Sequence, residues 1–138
     1  MTPGISLLES YKKAVYEKDV EAYASLFDGD VRVFDMWGAW SYEGIGSWKE
    51  MAKGWFAGLG ADRDVVTWED VQEQDGGDLV VMTAIIRFAA VSSEGKELRY
   101  LQNRLTWVLR KKGDAWKIIH QHSSSPVRGE TMEVLLQR

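Results

Sequence analysis

The sequence predicts a single α+β domain in which three N-terminal helices pack on a curved antiparallel sheet. Two observations support this prediction. Apolar residues recur at helical spacing up to residue 59, and longer runs rich in β-branched and aromatic residues follow, separated by turn sequences. Helices followed by strands are typical of this class. Since 138 residues with 45% hydrophobic content can bury one sizeable core, we expect residues 1–138 to form one domain, with 127–138 as a C-terminal extension.

Three segments have the pattern of amphipathic helices. The first begins at a capping box, Ser6-Leu-Leu-Glu9, and should extend to about Lys18. Asp19 is placed to cap a short second helix. A second capping box, Ser47-Trp-Lys-Glu50, predicts the start of the third helix. The apolar stripe of this third helix is formed by Trp48, Met51, Ala52, Trp55, Phe56 and Leu59.

The first predicted strand carries an acid within an apolar row. Residues 31–37 alternate, so that one face of the strand presents Val31, Val33, Asp35 and Trp37. A carboxylate among apolar neighbours is a candidate for acid/base chemistry, because burial shifts its pKa. The later strands are expected at residues 64–74, 79–91 and 97–110, with a last one that ends at Ser124.

The closing hairpin carries both histidines of the chain. Alternation places Trp116, Ile118, His120, His122 and Ser124 on one face of the last strand. If the turn is an odd loop such as Lys112-Gly-Asp114, even positions pair with even ones, and Arg104 and Thr106 join that face. We therefore expect a polar patch on the concave side of the sheet, with Trp107 on the convex side.

The hairpin sequence is similar to that of a known family. Arg104-x-Thr-x-Val-Leu-Arg-Lys and Gly113-x-x-Trp-Lys-Ile-Ile-His-x-His-Ser-Ser resemble the closing strands of SnoaL-like proteins in the nuclear transport factor 2-like superfamily. That superfamily includes polyketide cyclases, ketosteroid isomerases and the association domain of calcium/calmodulin-dependent protein kinase. The resemblance implies a cystatin-like cone of curved sheet around a pocket. Because many members are not enzymes, function must be argued from the pocket residues.

The N-terminal half resembles the ketosteroid isomerases in particular. By that likeness, Tyr11 falls where those enzymes have their oxyanion tyrosine and Asp35 where they have their general base. At the position of their second, neutral Asp this chain offers Arg104, or Asn103 if the register slips by one. A cation there would keep a carboxylic acid ionised, which argues against steroid isomerisation.

These patterns and likenesses give a set of candidate site residues. The catalytic candidates are Asp35 as base, Tyr11 as oxyanion donor and His120 as the group that returns the proton. The substrate-binding candidates are Arg104, His122, Trp37, Trp55 and Phe56. Several also have a structural interpretation: Asp35 pairs with Arg104 or caps a backbone N–H at a strand end, Tyr11 is a core residue, and the histidines are packed and hydrogen-bonded. We expect no metal and no cofactor.

The predicted function is the binding, with possible isomerisation or cyclisation, of a small and mostly apolar molecule that bears a carbonyl or carboxylate. The alternative is a non-catalytic oligomerisation or ligand-sensing module. Apolar residues on both faces of the strands near Leu79–Ile86 and Leu101–Leu109 predict a homodimer through the outer sheet face. A net charge of −4 without a basic block argues against nucleic acid, and no apolar run suggests a membrane span. With no Cys and no signal-peptide pattern, we expect a cytoplasmic protein.

Overall fold

A computed structural model describes all 138 residues as three helices packed on one curved, unclosed sheet of six strands. The strand order is β2-β1-β6-β5-β4-β3, and every neighbouring pair is antiparallel except β1 with β6. The predicted α+β class and the number of helices are confirmed. The elements are α1 Pro3–Glu17, α2 Val20–Ser25, β1 Phe27–Phe34, β2 Tyr42–Glu43, α3 Ile45–Gly58, β3 Arg63–Asp75, β4 Leu79–Val91, β5 Glu97–Lys112 and β6 Ala115–Ser124.

Two of the three helices begin earlier than their capping boxes predict. Helix α1 begins at Pro3, whose fixed φ suits the first helical position, and the Thr2 side chain caps it by accepting from the Ile5 N–H. Helix α3 begins at Ile45, and its N-cap residue, Gly44, makes no side-chain bond. Asp19 caps α2 as predicted, with Oδ1 3.0 Å from the Ala22 nitrogen. No helix combines the length and the apolar character that crossing a membrane requires.

The strands after residue 60 agree closely with the predicted ones, whereas the first strand differs. Strand β1 ends at Phe34, so Asp35 lies just beyond it instead of within it. The C-terminal extension, for which the sequence predicts no defined element, is an irregular loop closed by a bridge between Val127 and Val134. It continues beside β5, where the carbonyl oxygen of Leu136 accepts from the Gln102 nitrogen at 2.7 Å. This contact extends the pairing of β5 past the end of β6.

The core lies between the helices and the concave face of the sheet. Its largest fully buried side chains include Trp48 from α3 and Trp107 from β5. The Trp107 ring meets Tyr11 of α1 edge to face at 5.6 Å, and its Nε1 donates to Oε1 of Gln121 at 2.9 Å. The indole therefore faces the helices, and the expectation that it lies on the convex side is wrong.

The length of the turn and a β-bulge on β6 together explain this error. The turn contains two residues, Gly113 and Asp114, and Leu109 pairs with Ile118. Val108 then pairs with His120, so Ile119 is an extra residue on β6. Ile118, which precedes the bulge, points inward. Beyond the bulge the alternation is reversed, so that His120 and His122 point outward and Gln121 and Ser123 are buried in their place.

The odd residues of β5 face inward together with Trp107. Leu105 and Leu109 belong to the core, so the apolar row that suggested an outer interface is instead a wall of the interior. The outward face of β4 and β5 mixes apolar and polar side chains. It presents Val81, Thr83, Ile85, Arg87, Arg104, Thr106 and Val108.

Candidate ligand pocket

The interior holds a cavity of about 470 Å³ between the helices and the concave sheet. Eleven of its 19 lining residues are hydrophobic. This volume and this apolar lining are typical of pockets for small molecules. The aromatic residues of the lining are Tyr11, Tyr23, Trp37, Tyr42, Trp48, Trp55 and Phe88.

Asp35 places a carboxylate in this cavity. It follows β1, and its Oδ1 accepts a hydrogen bond from Oγ of Ser123 at 2.8 Å. Burial raises the pKa of the Asp35 carboxyl above its ordinary value of 3.8, because the apolar surroundings disfavour the charged form. The bond from Ser123 and the backbone N–H groups of Met36 and Trp37 partly offset this rise in pKa. Asp35 makes no ion pair with Arg104 or with any other cation.

Two tyrosines stand together in the wall of the cavity. The rings of Tyr11 from α1 and Tyr23 from α2 are 5.3 Å apart, and both residues are buried. Burial raises the pKa of Tyr11 and Tyr23 above the ordinary value of 10.0, and the nearby carboxylate of Asp35 adds to both shifts. Both hydroxyls therefore keep their protons at neutral pH and remain able to donate hydrogen bonds.

Three buried polar atoms in the lining make no hydrogen bond of standard geometry, although the Tyr23 hydroxyl lies close enough to Tyr11 and Trp48 for both to affect its pKa. The three atoms are Oη of Tyr23, Nε1 of Trp48 and Oδ1 of Asn103. A buried polar group without a partner is rare, because its desolvation costs about 1–3 kcal/mol. The cavity therefore offers unused donors and an unused acceptor to whatever occupies it.

A second carboxylate, Asp64 at the start of β3, also lines the cavity. Only 8% of the residue is exposed, and its Oδ2 accepts from Nε1 of Trp55 at 2.9 Å. Burial raises the pKa of the Asp64 carboxyl, and the bond from Trp55 partly offsets this effect. With Glu50 at the rim, three acids line the cavity, and no Lys, Arg or His does. The cavity is therefore electronegative.

The structure brings together four of the residues that were predicted from the sequence to form the site. Asp35, Tyr11, Trp37 and Trp55 all line the cavity. Phe56 does not: it lies behind Tyr23, with ring centroids 5.7 Å apart, and belongs to the core.

The other three predicted residues do not line this cavity. The exposed Arg104 donates from Nε to Oγ of Ser124 at 3.2 Å. Nδ1 of His120 lies 2.7 Å from the carbonyl oxygen of Arg32. His122 is exposed beside Phe34 and borders a second, more open hollow that Asp35 also touches. Arg104, His120 and His122 share a face as predicted, but this face is the outer one, so the expected position of the polar patch on the concave side is wrong.

Several residues of the cavity were not predicted from the sequence. Asn103, considered only as a register alternative to Arg104, is the β5 residue that faces inward. Asp64 precedes the alternating Val66 and Trp68, so the signal that identified Asp35, an acid in an apolar row, was present there too. Nothing in the sequence distinguished Trp48 and Tyr23 from other core aromatics. No group of three or more His, Asp or Glu side chains is arranged to hold a metal ion.

A curved sheet with three helices on its concave face, enclosing an apolar cavity with a few polar groups, defines the nuclear transport factor 2-like, or cystatin-like, class of folds. Within this class the chain belongs to the SnoaL-like domain family, which it matches over residues 5–128. This match confirms the resemblance found in the closing hairpin. Among curated proteins there is no significant match.

Solved structures support the same fold at low sequence identity. A nuclear transport factor 2-like protein from Pseudomonas putida is 22% identical with a TM-score of 0.83, and the match covers 97% of this chain and 92% of that one. A cystatin-like protein from Nostoc punctiforme is 16% identical with a TM-score of 0.70, over 88% and 86% of the two chains. A protein from Xanthomonas campestris, described as a candidate association domain of calcium/calmodulin-dependent protein kinase II, is 20% identical with a TM-score of 0.70, over 88% and 84%.

Proposed function

We propose that the protein binds a small, mostly apolar carbonyl compound in this cavity and moves a proton at the carbon next to the carbonyl. The observation that carries this proposal is the environment of Asp35, a half-buried carboxylate in an apolar cavity with a raised pKa and no paired cation. A base is most effective when its pKa is close to the working pH, and burial moves Asp35 in that direction. The cyclases and isomerases of the superfamily act by chemistry of this kind.

Asp35 is the proton acceptor in this proposal. The hydrogen bond from Ser123 holds Oδ1, which fixes the plane of the carboxylate and leaves Oδ2 free of side-chain partners. Asp35 takes a proton from the carbon next to the carbonyl, and the electron pair of the broken C–H bond moves toward the carbonyl to form an enolate. The protonated Asp35 then returns the proton to the same carbon or to a conjugated one. This removes the need for His120, which faces away from the cavity.

The enolate oxygen needs hydrogen-bond donors that keep their protons. Tyr11 is such a donor, because the raised pKa of its hydroxyl keeps it neutral. Nε1 of Trp48 and the hydroxyl of Tyr23 make no hydrogen bond of standard geometry and can assist. Donors fixed in place inside an apolar cavity stabilise developing negative charge more strongly than water does.

A neutral carbonyl suits this cavity better than a carboxylate ligand. Arg104, the guanidinium among the predicted substrate-binding residues, is exposed and bonded to Ser124 outside the cavity, so it offers no partner to a ligand carboxylate. The acids of the lining would repel an anion without a compensating cation.

The experiment is exchange of the protons next to the carbonyl of 2-decalone in D₂O, followed by NMR. Wild-type protein is expected to accelerate the exchange above the buffer rate, and Asp35→Asn to abolish the acceleration, because an amide is not a base. The matched control is Asp30→Asn, an exposed acid of β1. Equal rates with wild type, Asp35→Asn and buffer would refute the proposed catalysis.

The outer sheet face supports a second proposal, a homodimer. Val81 of β4 is 39% exposed there, beside Val108, its partner on β5, and on the same face as Ile85 of β4. A second copy of the chain is the simplest partner for exposed apolar side chains on a sheet face. Sedimentation at micromolar concentration should show a dimer for wild type and a monomer for Val81→Asp. Ser47→Asp, on the helical side, is the control, and a monomeric wild type would refute the dimer.

A further inference from the structure

The cavity contains a carboxylate that the proposed proton transfer does not use. Asp64 is 8% exposed and accepts one hydrogen bond, from Nε1 of Trp55. An ionised carboxylate has about four acceptor sites, so most of its capacity is unused. No Lys, Arg or His nitrogen lies within 4 Å of it. Buried carboxylates in proteins normally have such a partner, because desolvation of an unpaired charge is expensive.

Asp64 and Asp35 line the cavity from different elements, Asp64 at the start of β3 and Asp35 after β1. Ser123, which holds Asp35, pairs with Leu105 of β5. Asp64 pairs with Ala90 of β4, which in turn pairs with Arg99 of β5. Positions 99 and 105 are six residues apart on that strand, or roughly 20 Å along it before the curvature of the sheet shortens the distance. One elongated ligand can therefore approach both carboxylates with different groups.

The surroundings of Asp64 suit a cation. The indole of Trp55 lies against it and is flanked by Phe88 at 6.0 Å. Aromatic faces attract cations, and a carboxylate within hydrogen-bond distance attracts an ammonium group strongly. No basic side chain lines the cavity, and the positive charges of Arg99 and Lys18, which lower the pKa of Asp64, lie more than 4 Å from its carboxylate.

A second observation shows that the cavity is built for a polar-substituted molecule. Tyr23, Trp48 and Asn103 each present a buried polar atom that makes no hydrogen bond of standard geometry, and these residues are 0%, 2% and 9% exposed. An empty, purely apolar cavity would not contain such groups. The bound molecule therefore has polar groups at more than one point.

We infer that Asp64 anchors a protonated amine at the end of the ligand remote from Asp35, so that the ligand class is a mostly apolar amino ketone. The inference rests on the proposed function for the carbonyl end of the ligand only. Asp64 is a specificity-determining residue in this account and takes no part in the proton transfer.

The experiment compares three probes that share one bicyclic body: 2-aminodecalin, 2-decalone and decalin-2-carboxylic acid. Calorimetric titration of wild type should show that the amine binds most tightly and the acid most weakly. Asp64→Asn keeps an oxygen for the Trp55 N–H but removes the charge, and should weaken amine binding by about 10- to 100-fold. Asp64→Asn should weaken binding of the ketone much less. The inference is wrong if wild type does not prefer the amine, or if Asp64→Asn weakens amine and ketone equally.

Two further variants separate the possible explanations. Asp35→Asn should retain the preference for the amine, and loss of the preference in this variant alone would assign the amine to Asp35 and overturn the inference. Trp55→Phe removes the N–H that Asp64 accepts from but leaves the carboxylate, and should also retain the preference. If that preference disappears with Trp55→Phe and persists with Asp64→Asn, Asp64 serves only to hold Trp55. Proton exchange of 2-decalone by wild type tests the proposed function separately, so that either proposal can fail without the other.

Discussion

Oγ of Ser123 lies 2.8 Å from Oδ1 of Asp35 and donates a hydrogen bond to it, which links the end of β6 to the residue that follows β1. Phe34 pairs with His122 in the parallel β1–β6 ladder. The residues that follow them, Asp35 and Ser123, therefore point to the same side of the sheet. Ser123 faces the cavity only because the bulge at Ile119 has reversed the faces of β6. The orientation of the proposed base therefore depends on one extra residue in a neighbouring strand.

Asp35→Asn is expected to stabilise the protein at pH 7. Burial raises the pKa of Asp35 in the folded state, so the folded protein binds the proton more tightly than the unfolded chain does. The stabilisation that this tighter proton binding contributes is fully present below the pKa of Asp35 in the unfolded chain. It is lost as the pH rises through the pKa of Asp35 in the folded protein. The melting temperature of Asp35→Asn should exceed that of wild type at pH 7, and the two should converge near pH 3. A lower melting temperature at pH 7 would contradict the assignment of an unpaired, desolvated carboxylate.

Ser123→Ala is expected to destabilise the protein by about 1 kcal/mol at pH 7, because it removes a hydrogen bond to a charged, partly buried group. The loss should be smaller at pH 3, where Asp35 is protonated. Urea unfolding at the two pH values measures both quantities. The matched control is Ser124→Ala. The Ser124 hydroxyl accepts a hydrogen bond from Arg104 on the outer face, and its removal should change stability by less than about 0.5 kcal/mol. Equal effects of the two substitutions at both pH values would argue against a specific role for Ser123.

Asp28→Asn should show the opposite pH dependence to Asp35→Asn. The hydrogen bond and charge of Lys112, with the N–H of Asp30, lower the pKa of Asp28. The stability that Asp28 contributes is therefore present above its unfolded pKa and is lost as pH falls through the folded value. Because Lys112 is about half exposed, solvent weakens the pair, and the substitution should cost about 0.2–1 kcal/mol at pH 7 and almost nothing near pH 2. Thermal melts across this range test the sign, and a cost that grows toward low pH would be inconsistent with the pair.

Trp107→Ala and Arg104→Ala test which face of β5 is buried. Trp107 is fully buried and bonded to Gln121, so truncation should cost about 3–5 kcal/mol or prevent folding. Arg104 is exposed on the opposite face, and its truncation should change stability by less than about 0.5 kcal/mol. Chemical denaturation of both variants measures the difference. A tolerated Trp107→Ala together with a costly Arg104→Ala would reverse the register.

Gly4→Ala and Gly54→Ala should have opposite effects on stability. A Cβ at Gly4 would lie 2.6 Å from Oε1 of Glu73 and 2.7 Å from Sδ of Met82, so Ala there should cost about 1–3 kcal/mol. At Gly54, inside α3, a Cβ would meet no atom within 4 Å. Ala there should stabilise the protein by about 0.5–1 kcal/mol, because it reduces the entropy of the unfolded chain. Melting temperatures of the two variants provide the comparison, and a stabilising Gly4→Ala would show that the contacts at the start of α1 relax freely.

Much of the architecture could be predicted from local patterns. The 3.6-residue period identified the three helices, and Asp19 was correctly recognised as the cap of α2. The long strands between residues 63 and 124 were evident because turn sequences separate them. The starts of α1 and α3 were less predictable, since a capping box can also occur inside a helix, as at Ser6.

The candidate site was only partly predictable. Asp35 was recognised because an acid in an apolar row is unusual, and it does line the cavity. Asp64 carries a similar signal, but its significance appears only when β3 and α3 bring it against Trp55. Asn103 and Arg104 are neighbours in sequence, and only the register of β5 decides which of them faces the cavity.

The sequence by itself determined the fold class, the order of the elements and the presence of an acid beside an apolar cavity, because these follow from periodicity and turn chemistry within short segments. Only the tertiary structure decided which face of the closing hairpin lines that cavity. Side chains alternate with a period of two, so the single extra residue at Ile119 exchanges the two faces for the rest of the strand. Such a bulge depends on pairing with β5 on one side and β1 on the other, and β1 lies about 90 positions earlier in the chain.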